Sequence, residues 1–205
     1  MSIEQTGIVQ ESPAARERLL EAALHLFTTR GYAATTVREI VEAAGVSKPV
    51  LYYYFKNKEG IYLELMDGTH AIFQGLISQL TTAPGSAHQR IIRFATGIFD
   101  AFVEHIEVVR LIYAIFFGPP QGAPYFPHEQ YFDSMLDVVA DMVQKGIDAG
   151  ELKPVEIRSV TWAIISCMNT VMEEQLCNIP PRVDREGLVK MIDLVIDGIA
   201  VGGKP

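Results

Sequence analysis

Only two cysteines, Cys167 and Cys177, occur in the 205 residues, too few for a disulfide framework. On one helix they would stand about 15 Å apart along its axis, beyond disulfide reach. Both are expected to be reduced, buried and structural. Long apolar runs are also missing. The charge-free stretch Leu111–His128 is interrupted by Gly118, Pro119, Pro120, Gly122, Pro124 and Pro127. Another, Ser159–Met172, is shorter than the roughly 20 residues a membrane helix requires. Met1–Gln10 lacks the basic start and apolar run of a secretory signal. The expectation is a cytoplasmic protein with no membrane partner. The patterns HExxH, CxxC, GxSxG and the P-loop are absent. The five histidines are scattered, and Asp67 with His70 on one helix face are too few ligands for a metal. No catalytic residue, no metal and no cofactor is expected, and the chain does not read as an enzyme.

What is present is a helical pattern. Hydrophobic residues make up 49% and charged residues 20% of the chain, a globular balance. Nearly every long segment repeats its apolar residues at helical spacing, and no segment alternates as a strand would. Ser12-Pro13 reads as a helix start and Gly31 as its stop. Thr36 with Glu39 forms a capping box for a second helix that ends at Gly45. Ser47 is placed to cap a third helix, and Asn57 a fourth. Thr81–Ala87 reads as a loop, followed by helices at roughly 88–106, 107–117, 125–149, 155–178 and 185–201.

The formal net charge is −8, but it is unevenly spread. Residues 1–62 hold 7 basic and 7 acidic side chains, and residues 63–205 hold 10 and 18. Between 30 and 58, Arg30, Arg38, Lys48, Lys56 and Lys58 face only Glu39 and Glu42. An acidic body would repel phosphates and turn the other end toward them.

Placing Lys48–Phe55 on a helical wheel puts Leu51 and Phe55 within about 40° of each other, with Tyr54 beside them. Lys48, Pro49, Tyr52 and Tyr53 span the other side, over about 140°. One edge should pack inward while the other offers a cation, two phenols and a rigid ring. Ammonium and phenol groups suit phosphate oxygens, and Lys48 suits guanine O6 and N7. Pro49 and Val50 suit a thymine methyl. Thr36 and Arg38, opening the preceding helix, and Lys58, opening the next, suit further phosphates.

The segment TTVREIVEAAGVSKPVLYYYFKNKEGIYLEL resembles the DNA-binding domain of TetR-type transcriptional regulators. The shared marks are the initial Thr-Thr, the Ala-Gly-Val-Ser turn, the Leu-Tyr-x-Tyr-Phe block, the Lys-Glu opening the next helix, and Gly31-Tyr32 upstream. They occur in order over about residues 13–65; Val41 departs, where a smaller alanine is usual. The resemblance implies that Thr36, Arg38, Ser47, Lys48, Tyr52, Tyr53 and Lys58 contact DNA, mostly phosphate, and that Pro49 and Val50 meet base edges. It also implies a variable helical body for inducer binding and dimerisation. The expected fold is all-α. Residues 1–11 form a tail. Residues 12–60 form a three-helix head with its helix–turn–helix at 36–55. A fourth helix joins it to a ligand-binding and dimerisation body, 61–205, with a four-helix dimer interface.

For that interface, Gly187–Val201 carries only Lys190, Asp193 and Asp197 as charges, in one narrow stripe. Such a helix should be buried on two sides. The helix before it has small residues at alternating four–three spacing. Ala163, Ser166, Thr170, Leu188, Ile192, Val195 and Ile199 are the expected contacts of a homodimer. For an effector, His70, Phe94, Tyr113, Phe117, Tyr125, Trp162 and Asn169 supply apolar bulk, several with polar tips. The expected function is a homodimeric transcriptional repressor on a palindromic double-stranded DNA operator, released by a small, largely apolar effector. The alternative is a small-molecule-binding helical dimer, or an enzyme, that does not bind DNA.

Overall fold

The structure, a computed structural model, describes residues 13–202; the tail at 1–11 and the cap at Ser12 lie outside the described residues. Nine helices fill it: α1 (Pro13–Arg30), α2 (Val37–Ala44), α3 (Lys48–Phe55), α4 (Lys58–Thr82), α5 (Ala87–Glu104), α6 (Ile106–Phe116), α7 (Glu129–Asp148), α8 (Ile157–Cys177) and α9 (Arg185–Ile199). Among the described residues the only β-type pairing is one isolated bridge between Leu152 and Ala200. Helix ends follow the local chemistry. Pro13 opens α1, where its missing N–H costs nothing. Capping boxes at Thr36/Glu39 and Ser86/Gln89 open α2 and α5, and Asp184 caps α9. Two boundaries differ from expectation. α4 runs on through Thr82 before Pro84 stops it, and α7 begins at Glu129 instead of 125, because Pro124 and Pro127 keep that stretch out of the helix.

Two compact units emerge, one of residues 13–69 with 107–126, the other of 70–106 with 127–202. The first unit is built around Leu19, Ala23 and Phe27 of α1, Ile40 and Ala44 of α2, Leu51 and Phe55 of α3, and Ile61, Tyr62 and Met66 of α4. Phe27, Tyr32 and Tyr62 meet ring to ring at 5.2, 5.3 and 6.5 Å. α6 joins this core through Val108 and Leu111, a membership that chain order alone does not reveal. Val41 fits the core as well as a smaller residue would, buried at 5% exposure.

The second unit packs α5, α7, α8 and α9 around Ile91, Phe94, Val139, Met142, Ile164, Ile165, Met168, Leu188 and Ile192. Gly146 lets α7 approach α5 closely. A Cβ there would lie 2.6 Å from Ala87 Cβ and 2.8 Å from Leu152 Cδ1. On an open helix Gly→Ala gains up to about 1 kcal/mol. Here overpacking outweighs that gain, and Gly146→Ala should cost about 1–2 kcal/mol, read as a lower unfolding midpoint. The α8–α9 turn is tied by Arg182, whose guanidinium pairs with Glu174 and holds that carboxyl down at about 2.

Candidate nucleic-acid interface

The α2–α3 hairpin is rigidly specified. Thr36 Oγ1 accepts from Glu39 N at 3.3 Å, and Glu39 Oε2 accepts from Thr36 N at 2.8 Å. Bonding to Thr36 holds the Glu39 carboxyl below its usual range, with Arg30 assisting at 2.8 Å. α2 stops where Gly45 turns left-handed at φ 62°, and Val46 N–H closes the turn on Val41 O at 3.0 Å. Ser47 stands at the N-cap of α3 but makes no capping bond with its side chain. The residue is exposed. Pro49 sits in the first turn, where a missing N–H is harmless.

α3 separates its two faces sharply. Leu51 is 0% and Phe55 5% exposed, whereas Tyr52 is 50% and Tyr53 62% exposed. Lys48 and Pro49 are exposed as well. Tyr54 is half-buried between these faces, its ring 4.9 Å from that of Tyr53. Arg38 is exposed and pairs with Glu42 at 2.7 Å. Such a surface pair is weak and readily exchanged for phosphate. Thr36, Arg38, Ser47, Lys48, Pro49, Tyr52 and Tyr53 are thus all solvent-facing.

Two expected contacts are not free side chains of the surface. Val50 is buried, at 7% exposure, and belongs to the core. Its methyls are not offered to a base edge. Lys58 is half-buried, and its ammonium donates to Tyr32 O at 2.8 Å and Thr35 O at 2.9 Å, with the Tyr32 ring face 4.1 Å away. Burial lowers its pKa from the ordinary 10.5; the two carbonyls and the ring hold the charge. Lys58 thus clamps the 32–35 turn. The turn between α3 and α4 is tight besides. Lys56 adopts φ 62°, and a methyl on Gly60 would overlap the Phe55 carbonyl.

The expected effector residues divide between the two units. Tyr113, Phe117 and Tyr125 belong to the first unit, with Phe117 and Tyr125 strongly exposed. His70, Phe94, Trp162 and Asn169 belong to the second. Phe94 is wholly core, so it lines nothing. What the second unit does assemble is an aromatic group centred on Tyr131. His70 meets it edge-on at 5.1 Å, Phe73 at 4.9 Å and His128 stacked at 6.4 Å. Burial holds the His128 imidazole below its usual pKa. The next residue on α7, Phe132, meets Trp162 at 5.5 Å. Tyr131 went unmarked in sequence because its two histidine neighbours come from segments far apart in the chain.

The expected dimer contacts also divide. Ala163, Ser166 and Thr170 form an exposed stripe on α8, next to the partly exposed Trp162. Leu188 and Ile192 are buried in the unit's own core, with Val195 and Ile199 packed against it. Leu188 and Ile192 are corrected to core. The apolar side chains that α9 and its end leave outside are Leu194, 76% exposed, and Val201. No helix among the described residues is long and apolar enough to cross a membrane.

The family described as bacterial regulatory proteins, tetR family, matches residues 19–65, the segment just described. The chain is 31% identical over 156 residues to the transcriptional activator FasR of Mycolicibacterium smegmatis, covering 74% of this chain and 69% of that protein. It is 28% identical over 166 residues to the transcriptional repressor KstR2 of the same species, covering 75% and 79%. In three dimensions it resembles the ketosteroid transcriptional regulator KstR2 of Mycobacterium tuberculosis, with a TM-score of 0.71 over 93% of this chain and 97% of that one, at 23% identity.

Proposed function

For a chain that belongs to the tetR family of bacterial regulatory proteins, and is therefore a DNA-binding regulator of transcription, we propose a homodimeric repressor on a palindromic operator, released by a small, largely apolar effector. α3 enters the major groove with Lys48, Pro49, Tyr52 and Tyr53 toward the duplex. Thr36, Arg38 and Ser47 meet phosphates beside it. The carrying observation is the division of α3: its leucine edge is buried and its lysine–tyrosine edge is open to solvent. The head, residues 13–60, does the reading, and the remainder dimerises and holds the effector.

Dimerisation is assigned to the outward faces of α8 and α9. The stripe Ala163, Ser166 and Thr170 lets a helix come close, and Leu194 supplies an apolar knob. A two-fold pair of heads about 34–36 Å apart fits two half-sites one DNA turn apart. Because Leu194 packs little within its own chain, Leu194→Arg should leave the fold intact and give a monomer in sedimentation. A variant that still sediments as a dimer would move the interface elsewhere.

An effector with aromatic or apolar bulk and few polar groups suits the Tyr131 group, with His70 and His128 beside it. The relatives' names include both a repressor and an activator, so the sign needs its own test. Removing the protein should raise transcription from the promoter it binds; a fall would make it an activator. The function as a whole is tested by mobility of the purified protein with DNA from upstream of its own gene. Retardation at low salt that weakens at high salt is expected, and its absence at every salt would count against the reading.

A further inference from the structure

We infer that Gln121, far outside the segment matched to the family, is a positioning residue for DNA reading, acting through the α1–α2 turn. This rests on α3 being the reading helix.

The sequence of residues 31–36 creates the need. α1 ends at Gly31, which takes φ 85°. The Tyr32 N–H just beyond it has left the helix ladder and requires an acceptor. Gln121 Oε1 supplies one at 2.8 Å. Its amide nitrogen reaches Ala114 O, in the last turn of α6, at 3.4 Å. The fit depends on glycine, because a Cβ at Gly31 would come within 2.6 Å of Gln121 Oε1. From the other side the same turn is gripped by Lys58, through the carbonyls of Tyr32 and Thr35. Thr35 closes it internally, donating to Gly31 O at 2.9 Å.

The next residue, Thr36, caps α2, and α2 carries α3 through the Gly45 turn. The position of the 31–36 turn therefore sets where the reading helix starts. α6 is seated in the same core by Val108 and Leu111, and Thr28 Oγ1 donates to Glu107 O at 3.3 Å. A continuous line of contacts thus runs from residues 107–121 to the reading helix. Loosening its Gln121 link would lower the fraction of heads poised to bind, and apparent affinity falls by that fraction.

The test compares Gln121→Leu, which keeps a comparable apolar bulk but removes the bonding tip, with Gln121→Glu, which keeps the acceptor for Tyr32 N–H while losing the longer bond to Ala114 and gaining a charge. Residue-resolved amide exchange of the free protein is measured together with affinity for the upstream duplex at fixed salt. For Gln121→Leu, exchange at Tyr32 and along α3 should quicken by about tenfold, and affinity should fall by a similar factor. Amides of α7, α8 and α9 should be unchanged, and Gln121→Glu should restore both readouts. Faster exchange at Tyr32 with α3 and affinity unaltered would reduce Gln121 to a local loop tie and overturn the proposal. So would unchanged exchange at Tyr32, or uniform acceleration that includes α8. If the unaltered protein bound no duplex, the DNA-reading assignment would fail by itself, while exchange along α3 would still decide whether Gln121 positions that helix.

Discussion

Replacing Lys48 and Tyr53 together by alanine should weaken operator binding by about a hundredfold, each loss being worth about tenfold. Thermal stability should stay nearly constant. Both side chains leave the protein surface outward, Tyr53 at 62% exposure. Substitutions at such sites shift stability within about 0.5 kcal/mol. Losing the Lys48 charge should also lower the slope of log affinity against log salt by about one, if it neutralises one phosphate. Leu51→Ala supplies the contrast. Its side chain is completely buried beneath α3, and the cavity should cost about 2–5 kcal/mol. Binding would then fall because the head unfolds, not because a contact is lost. Calorimetry alongside a binding titration separates the two cases. A double variant that binds as the parent does would take α3's outer face off the duplex.

Lys58→Met should behave in the opposite way. The methionine keeps an apolar stem but removes the donor shared by Tyr32 O and Thr35 O. Bonds from a charged donor are worth more than neutral ones, and about 1.5–3 kcal/mol of stability should be lost. The salt slope of DNA binding by the remaining folded protein should not change. A Lys58 side chain neutralising a phosphate would instead lower the slope by about one and leave the melting temperature unaltered. Measuring both quantities on one variant therefore decides between a clamp and a phosphate contact.

The head was legible because its signals are local. Thr36 to Glu39, Gly45 and the α3 wheel all act within a few residues, and α2 and α3 lie where those signals place them. Val50 was misread within the same wheel. It lies closer to Tyr54 than to Tyr53 in angle, and a small apolar side chain at such an edge turns inward when a core is available. The bonding of Lys58 to the fold was not legible for another reason. Its partners are carbonyls of a turn distant in sequence, and backbone acceptors leave no trace in residue identity.

The same distinction separates the body's successes from its misses. Leu188, Ile192, Val195 and Ile199 were recognised as one apolar face of α9, but periodicity does not say whether such a face meets its own core or a partner. In this chain Leu188 and Ile192 meet the unit's own core, Val195 and Ile199 are only partly covered, and Leu194 is left outside. The joining of α6 to the head, and Gln121 to Tyr32, depends on contacts between residues far apart in the chain. No short-range rule covers these.

Protection of the upstream duplex against cleavage, mapped base by base with the purified protein, tests the central claim most directly. The account predicts two protected patches on one side of the duplex, one helical turn apart, that vanish together in the Lys48→Ala, Tyr53→Ala variant at a concentration where the parent saturates them. Protection that survives in that variant, or an upstream duplex left unprotected by the folded parent, would contradict it.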